Sequence, residues 1–126
     1  MGHVFTDIVL TNPRRLELES VTVNALVDTG AATLCIPENI RIQLDLEEAE
    51  QRVVTTADGK RRTVPYVGPV RIRFGNRSCF TGAFVMGEQV LLGAIPLEDM
   101  DLVINPLRRE VTVNPASPNV PSALVM

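Results

Sequence analysis

Ala25-Leu26-Val27-Asp28-Thr29-Gly30-Ala31-Ala32-Thr33 is the stretch whose reading decides the fold. An apolar run delivers one aspartate onto a sharp turn with a small residue on each side. A second short strand, Thr33 to Ile36, follows and is stopped by Pro37. A strand of that composition is buried, so it carries Asp28 to or near the interior, where a lone charged carboxylate is costly. Two carboxylates sharing one proton remove the difficulty: one stays charged and acts as base, the other stays protonated and acts as acid. A water held between them can be deprotonated and aimed at a peptide carbonyl, whose oxygen the acid partner meets as charge develops. Thr29 offers a hydroxyl to tie the turn down, and Gly30 lets the backbone approach both the carboxylate and a bound peptide. Asp-Thr-Gly is also a common turn tripeptide, and most occurrences are only turns; the aliphatic runs on both sides are what single this one out.

Outward from that segment the chain reads as short strands separated by turn residues. On the N-terminal side Val4–Leu10 alternates loosely, Asn12-Pro13-Arg14 marks a turn, and Leu16–Glu19 and Val21–Val27 alternate as two further runs with one buried face. On the C-terminal side Pro37-Glu38-Asn39 has the form of a helix start, with proline in the first turn and an acid beside it. Ile40–Glu47 fits both periods, and a short helix is expected there. Arg52–Thr56 and Arg61–Tyr66 flank a hairpin turn at Ala57-Asp58-Gly59-Lys60, since Asp-Gly suits left-handed dihedrals. Pro69–Phe74 and Ser78–Val85 form another hairpin around Gly75-Asn76. Val90–Leu92 is a fully apolar strand ending at Gly93, Ile95–Met100 one or two helical turns, and Leu102–Ile104 with Glu110–Val113 a last hairpin around Asn105-Pro106. The sum is an all-β, barrel-like fold with one or two short helices.

The 126 residues suit one domain, expected over residues 1–114, with a Pro-rich, flexible tail over 115–126 whose end is apolar. Hydrophobic residues make up 45% and aromatics only 4%, so the core is expected to be aliphatic. A net charge of −3 argues against nucleic acid or an acidic membrane surface as the partner. No apolar run approaches the ~20 residues needed to span a bilayer, and the opening residues do not read as a signal peptide. Cys35 and Cys79 are too isolated for a zinc or thioredoxin-like site and are expected as buried, reduced thiols, which suits the cytoplasm. His3 is the only histidine, so Ser-His-Asp and Cys-His chemistry would depend on it alone. No phosphate loop, nucleophile elbow or metal-ligand cluster appears, and no cofactor or metal is expected.

Residues 25–36 resemble the motif of the retropepsin-like aspartic proteases, a family of retroviral enzymes with prokaryotic relatives. A second element stands in the right order: Val90-Leu91-Leu92-Gly93 is similar to the strand that crosses beneath the catalytic loop in that family, and Ala94–Met100 to the short helix after it. The hairpin between them lies where the family places its flap. The resemblance spans roughly Leu16 to Val113 and implies a closed barrel forming half of a two-fold dimer. It implies Asp28 as the catalytic residue, Thr29 and Gly30 as support for its loop, and Leu92 and Gly93 as structure beneath the site. It implies Gly30, Ala31, Ala32, Ala57, Asp58 and Gly59 as peptide contacts. Pepsin-like enzymes carry two Asp-Thr-Gly motifs in one chain, whereas this sequence has one. The implied activity is therefore peptide-bond hydrolysis by two Asp28 residues, one from each chain of a homodimer. A catalytically idle binding or dimerisation module of the same fold is the alternative, because a fold does not guarantee an activity. The sequence departs from the viral pattern at Ala32 and Ala94, where viral enzymes pair an acid with an arginine; both partners are absent together, so no charge is stranded.

Overall fold

A computed structural model describes residues 2–125. Its elements in chain order are β1 (Val4–Thr11), β2 (Val21–Val27), β3 (Leu34–Ile36), α1 (Glu38–Gln43), β4 (Glu48–Thr55), β5 (Arg61–Phe74), β6 (Arg77–Val85), β7 (Leu91–Leu92), α2 (Ala94–Asp99), β8 (Leu102–Asn105) and β9 (Glu110–Val113). Six strands close into a ring in the order β1-β2-β7-β3-β6-β5, with β5 returning to β1 through Thr11↔Arg71, Leu10↔Ile72 and Val9↔Arg73. Closure leaves the ring without open edges. β4 pairs only with β5 and extends the sheet beyond the ring, and β8 and β9 form a separate two-stranded sheet.

The ring closes on an aliphatic core. Ile8, Leu10, Leu34, Ile36, Leu44, Ile72 and Leu92 are each 1% exposed or less, and burying a side chain of that size contributes about 1.5–3 kcal/mol. Alternation on β1 and β6 places one residue of each pair inside, as period-2 strands must. The expected turns at Gly59 and Gly75 both have positive φ, +83° and +55°, the region where glycine bears no steric penalty.

Three expectations need correction. Leu16–Glu19 is not a strand: β1 and β2 already pair from Val4↔Val27 to Leu10↔Val21, so residues 12–20 lie beyond the ladder as their connection. Leu16 is 78% exposed. The buried Asn12 holds that connection by donating Nδ2–H to the Leu44 and Asp45 carbonyls while its Oδ1 accepts from the Arg14 N–H. The runs Arg61–Tyr66 and Pro69–Phe74 are one strand, β5, whose register with β6 shifts between Val67 and Val70; a bulge absorbs a proline that cannot donate to the ladder. The strand expected from Arg52 begins at Glu48, since α1 ends at Gln43.

Hydrogen bonds reach into the segment expected as a flexible tail, at Ser117 and Ser122. The Asp101 carboxylate accepts from the Ser117 hydroxyl, from Asn114 Nδ2 at 3.0 Å and from the Ser122 N–H at 2.9 Å. The Ser117 carbonyl accepts from the buried Arg77 guanidinium. The Ser117 hydroxyl, then the Ser122 amide and Asn114, draw the Asp101 pKa down to about 2 from 3.8. A depressed acid stabilises the fold above its unfolded pKa and loses that contribution as pH falls through the folded one. An Asp101→Asn variant is therefore expected to melt a few degrees below wild type at neutral pH, and the gap to close as pH falls from 3.8 towards 2. Melting curves across that range test it; a gap independent of pH would remove the carboxylate from the account.

Candidate active site

β2 ends at Val27, and its parallel neighbour β7 fixes where Asp28 emerges: Leu26 pairs with Leu91, Val27 with Leu92, and the Asp28 N–H donates to the Leu92 carbonyl at 3.0 Å. Leu92 is fully buried beneath the loop. Asp28 itself is half-buried, while Thr29, Gly30 and Ala32 are exposed. The loop closes tightly. The Ala31 N–H donates to the Asp28 carbonyl at 3.0 Å, and the Gly30 N–H donates to Asp28 Oδ1 at 2.9 Å. That second bond fixes one carboxylate oxygen in place. A Cβ on Gly30 would stand 3.1 Å from the same oxygen, so the glycine keeps this approach open.

Gly93 and α2 grip the loop from below. The Ala94 N–H donates to the Ala31 carbonyl at 2.9 Å and the Ile95 N–H to the Ala32 carbonyl at 3.0 Å. Main-chain bonds from 94 to 31 and from 95 to 32 thus hold the start of α2 to the loop beside Ala32 and Ala94, where the resemblance leads one to look for an ion pair. Beyond Ala32, Thr33 is buried and its hydroxyl pairs with that of Thr81 on β6 at 3.0 Å. Neither threonine stood out in the sequence, because their contact joins residues 48 positions apart on different strands. Cys35, next along β3, is a free, buried thiol whose pKa burial, and secondarily the Asp28 charge, push up to about 11. Cys79 is likewise free and buried, its pKa pushed up to about 12 by burial and secondarily by Asp99. Both thiols are therefore protonated at neutral pH and inert as nucleophiles.

Ala57, Asp58 and Gly59 sit at the tip of the β4–β5 ribbon, apart from the loop in the chain. Asp58 Oδ1 accepts from the Thr56 hydroxyl and from the Lys60 N–H, which preforms the turn. The Thr56 bond, followed by the Lys60 amide, lowers the Asp58 pKa. Beside the loop, Thr29, Ala94, Leu97, Glu98, Leu102 and Ile104 line an open groove of about 410 Å³, and Ile95 is 58% exposed. Among the described residues no group of three or more His, Cys, Asp or Glu side chains could hold a metal ion, and no helix is long and apolar enough to cross a membrane.

A model of the family described as "gag-polyprotein putative aspartyl protease" matches residues 15–99. The match runs from the connection before β2 to the last residue of α2 and so contains the Asp28 loop, the ribbon and Gly93. The search of curated proteins returned no match.

Proposed function

The chain belongs to this retropepsin-like family of aspartyl proteases, and on that premise we propose that it is an endopeptidase whose site is completed by a second copy of itself, each copy supplying one Asp28. The observation that carries the proposal is the Asp28 loop: one half-buried carboxylate, held at one oxygen by Gly30, on a turn whose outer face is open. A single carboxylate cannot be base and acid at once. Two related by a two-fold axis can share a proton, because like charges at close range do not both persist. The exposed Thr29, the apolar groove beside it and Ile95 support this side as the meeting face.

The chemistry follows from the pair. The charged Asp28 takes a proton from the water between the two carboxyls as the water oxygen attacks the peptide carbonyl carbon. The protonated Asp28 donates to the carbonyl oxygen, giving a tetrahedral gem-diol. Transfer of a proton to the amide nitrogen then breaks the C–N bond. The main chain of Gly30, Ala31 and Ala32 lines the floor, and the ribbon tip Ala57-Asp58-Gly59 closes from above, so that an extended peptide pairs with strand edges. In this reading residues 1–114 form the protease domain and 115–126 a tail, no cofactor takes part, and the reduced thiols suit the cytoplasm.

The experiment is cleavage of a diverse peptide library between about pH 4 and 8, where a shared-proton pair works, comparing wild type with Asp28→Asn. Cleavage by wild type alone is expected, with at least a thousandfold loss in the variant, since the step needs both a base and an acid. Cleavage by both proteins places the activity elsewhere. Cleavage by neither, from a sample shown to be dimeric, leaves a binding module.

A further inference from the structure

The ribbon of β4 and the first half of β5 is anchored on one face only. Cross-strand partners share a face, so the pairs Arg52↔Val64 and Glu50↔Tyr66 put four side chains on one side. Tyr66 also faces Phe84 on β6, with ring centroids 5.3 Å apart. The Arg52 guanidinium lies 3.8 Å from the Tyr66 ring centroid and is also bonded by Glu50 at 2.7 Å. Val64 is only 3% exposed, although every residue of β4 except Val54 is exposed. The opposite face, carrying Val53 and Thr63, stands open, with Val53 54% exposed.

Tyr66 is seated as well as stacked. A Cβ on Gly82 would come 2.7 Å from Tyr66 Cε1 and closer still to Cζ and the hydroxyl, so the ring occupies the space that only glycine leaves. The seat leads back to the catalytic loop: Gly82 follows Thr81, whose hydroxyl pairs with that of Thr33 five residues after Asp28. A cavity of about 260 Å³, bordered by Ala49, Tyr66, Pro69, Thr81 and Gly82, adjoins the same ring.

We infer that Tyr66, seated on Gly82 and capped by Arg52, is the pivot that sets the resting position of the ribbon, and that Arg52 and Tyr66 are thereby positioning residues for the bound peptide. The inference rests on the reading of the ribbon as the flap of a protease. The stack holds the root of the ribbon against the barrel on one face, which leaves the other face, with Val53, free to meet a peptide. Loss of the cation lets the ribbon move more often out of that position. Peptide binding then weakens, while the carboxylate chemistry beneath is untouched.

The test is Arg52→Met, which keeps a long stem over Val64 and removes the charge. KM is expected to rise roughly two- to fivefold, the range of an exposed cation–π contact, with kcat little changed. Amide hydrogen exchange is expected to quicken over residues 53–63 and not in the ring strands. Arg52→Lys, which keeps a cation, should fall between, and Glu50→Gln, which removes only the ion pair, should behave as wild type. Unchanged KM and exchange in Arg52→Met would overturn the inference, as would a Glu50→Gln variant that reproduces its effect. Exchange needs no turnover: if wild type cleaves nothing, the protease reading fails on that result, while the exchange data alone decide the pivot.

Discussion

Mixed and re-equilibrated with a ninefold excess of Asp28→Asn chains, wild-type protein is expected to lose about nine tenths of its activity per wild-type chain, because random pairing leaves about one dimer in a hundred with two intact carboxylates. The expectation follows from the loop. Asp28 has one oxygen fixed by Gly30 and faces outward at half burial, and the sequence holds a single Asp-Thr-Gly. A mixed dimer therefore carries one carboxylate opposite an amide, which can neither take a proton from water nor share one. The measurement is initial rate against mixing ratio at fixed wild-type concentration. A rate that ignores the added variant means each chain works alone. A rate that rises towards twice the starting value at high excess means that one carboxylate suffices, because nearly every wild-type chain then sits in a dimer of its own. Dilution gives an independent reading: specific activity should fall once the total concentration drops below the dimer dissociation constant.

What the sequence disclosed about this fold was local. Val21–Val27, Thr33–Ile36 and Ser78–Val85 are runs whose period and β-branched content state their own conformation, and Gly59 and Gly75 mark their turns by a dihedral requirement other residues meet poorly. The failures share a physical cause. Leu16–Glu19 alternates as well as a true strand does, but alternation creates no partner, and the β1–β2 ladder is complete without it. Gly68-Pro69 looks like an end to a strand because proline removes a donor, yet a register shift opposite β6 carries β5 through. The hydrogen bonds that reach the tail, from Asp101 and Arg77, are no more legible, since they lie 16 and 40 positions from Ser117.

The site divides along the same line. Asp28, Gly30 and Gly93 could be singled out because each has a chemical or steric role expressed within a few residues of a strand end. Arg52, Tyr66 and Gly82 could not, since a ring stacked on a cation and seated on a glycine exists only once β4, β5 and β6 lie side by side. The apolar run before Asp28 placed the carboxylate at or near the interior, and the chain holds it half-buried beside exposed Thr29 and Ala32.

Gly93→Ala is expected to be the most damaging one-carbon change in the protein. An added Cβ would stand 2.6 Å from the Ala31 carbonyl oxygen and 2.7 Å from the Thr33 nitrogen, and nearer still to the Thr33 carbonyl oxygen. All three are main-chain atoms of the Asp28 loop and the strand it enters, so no side chain can swing aside, and relief requires the loop to part from α2. The bonds from the Ala94 and Ile95 N–H groups to the Ala31 and Ala32 carbonyls would stretch with it. Overpacking against backbone belongs at or beyond the top of the usual range, about 3 kcal/mol or more, out of a total stability of about 5–15 kcal/mol. Backbone conformation is not the cause, since φ −89° and ψ −175° at Gly93 are open to alanine. Gly59 provides the contrast: its φ is +83°, but a Cβ there meets nothing within 4 Å. Gly59→Ala should therefore cost only the left-handed penalty of about 1–2 kcal/mol. Chemical denaturation of the two variants separates crowding from strain. A Gly93→Ala protein as stable as Gly59→Ala would mean that α2 can draw back from the Asp28 loop, and the rigid floor assigned to the carboxylate would be lost with it.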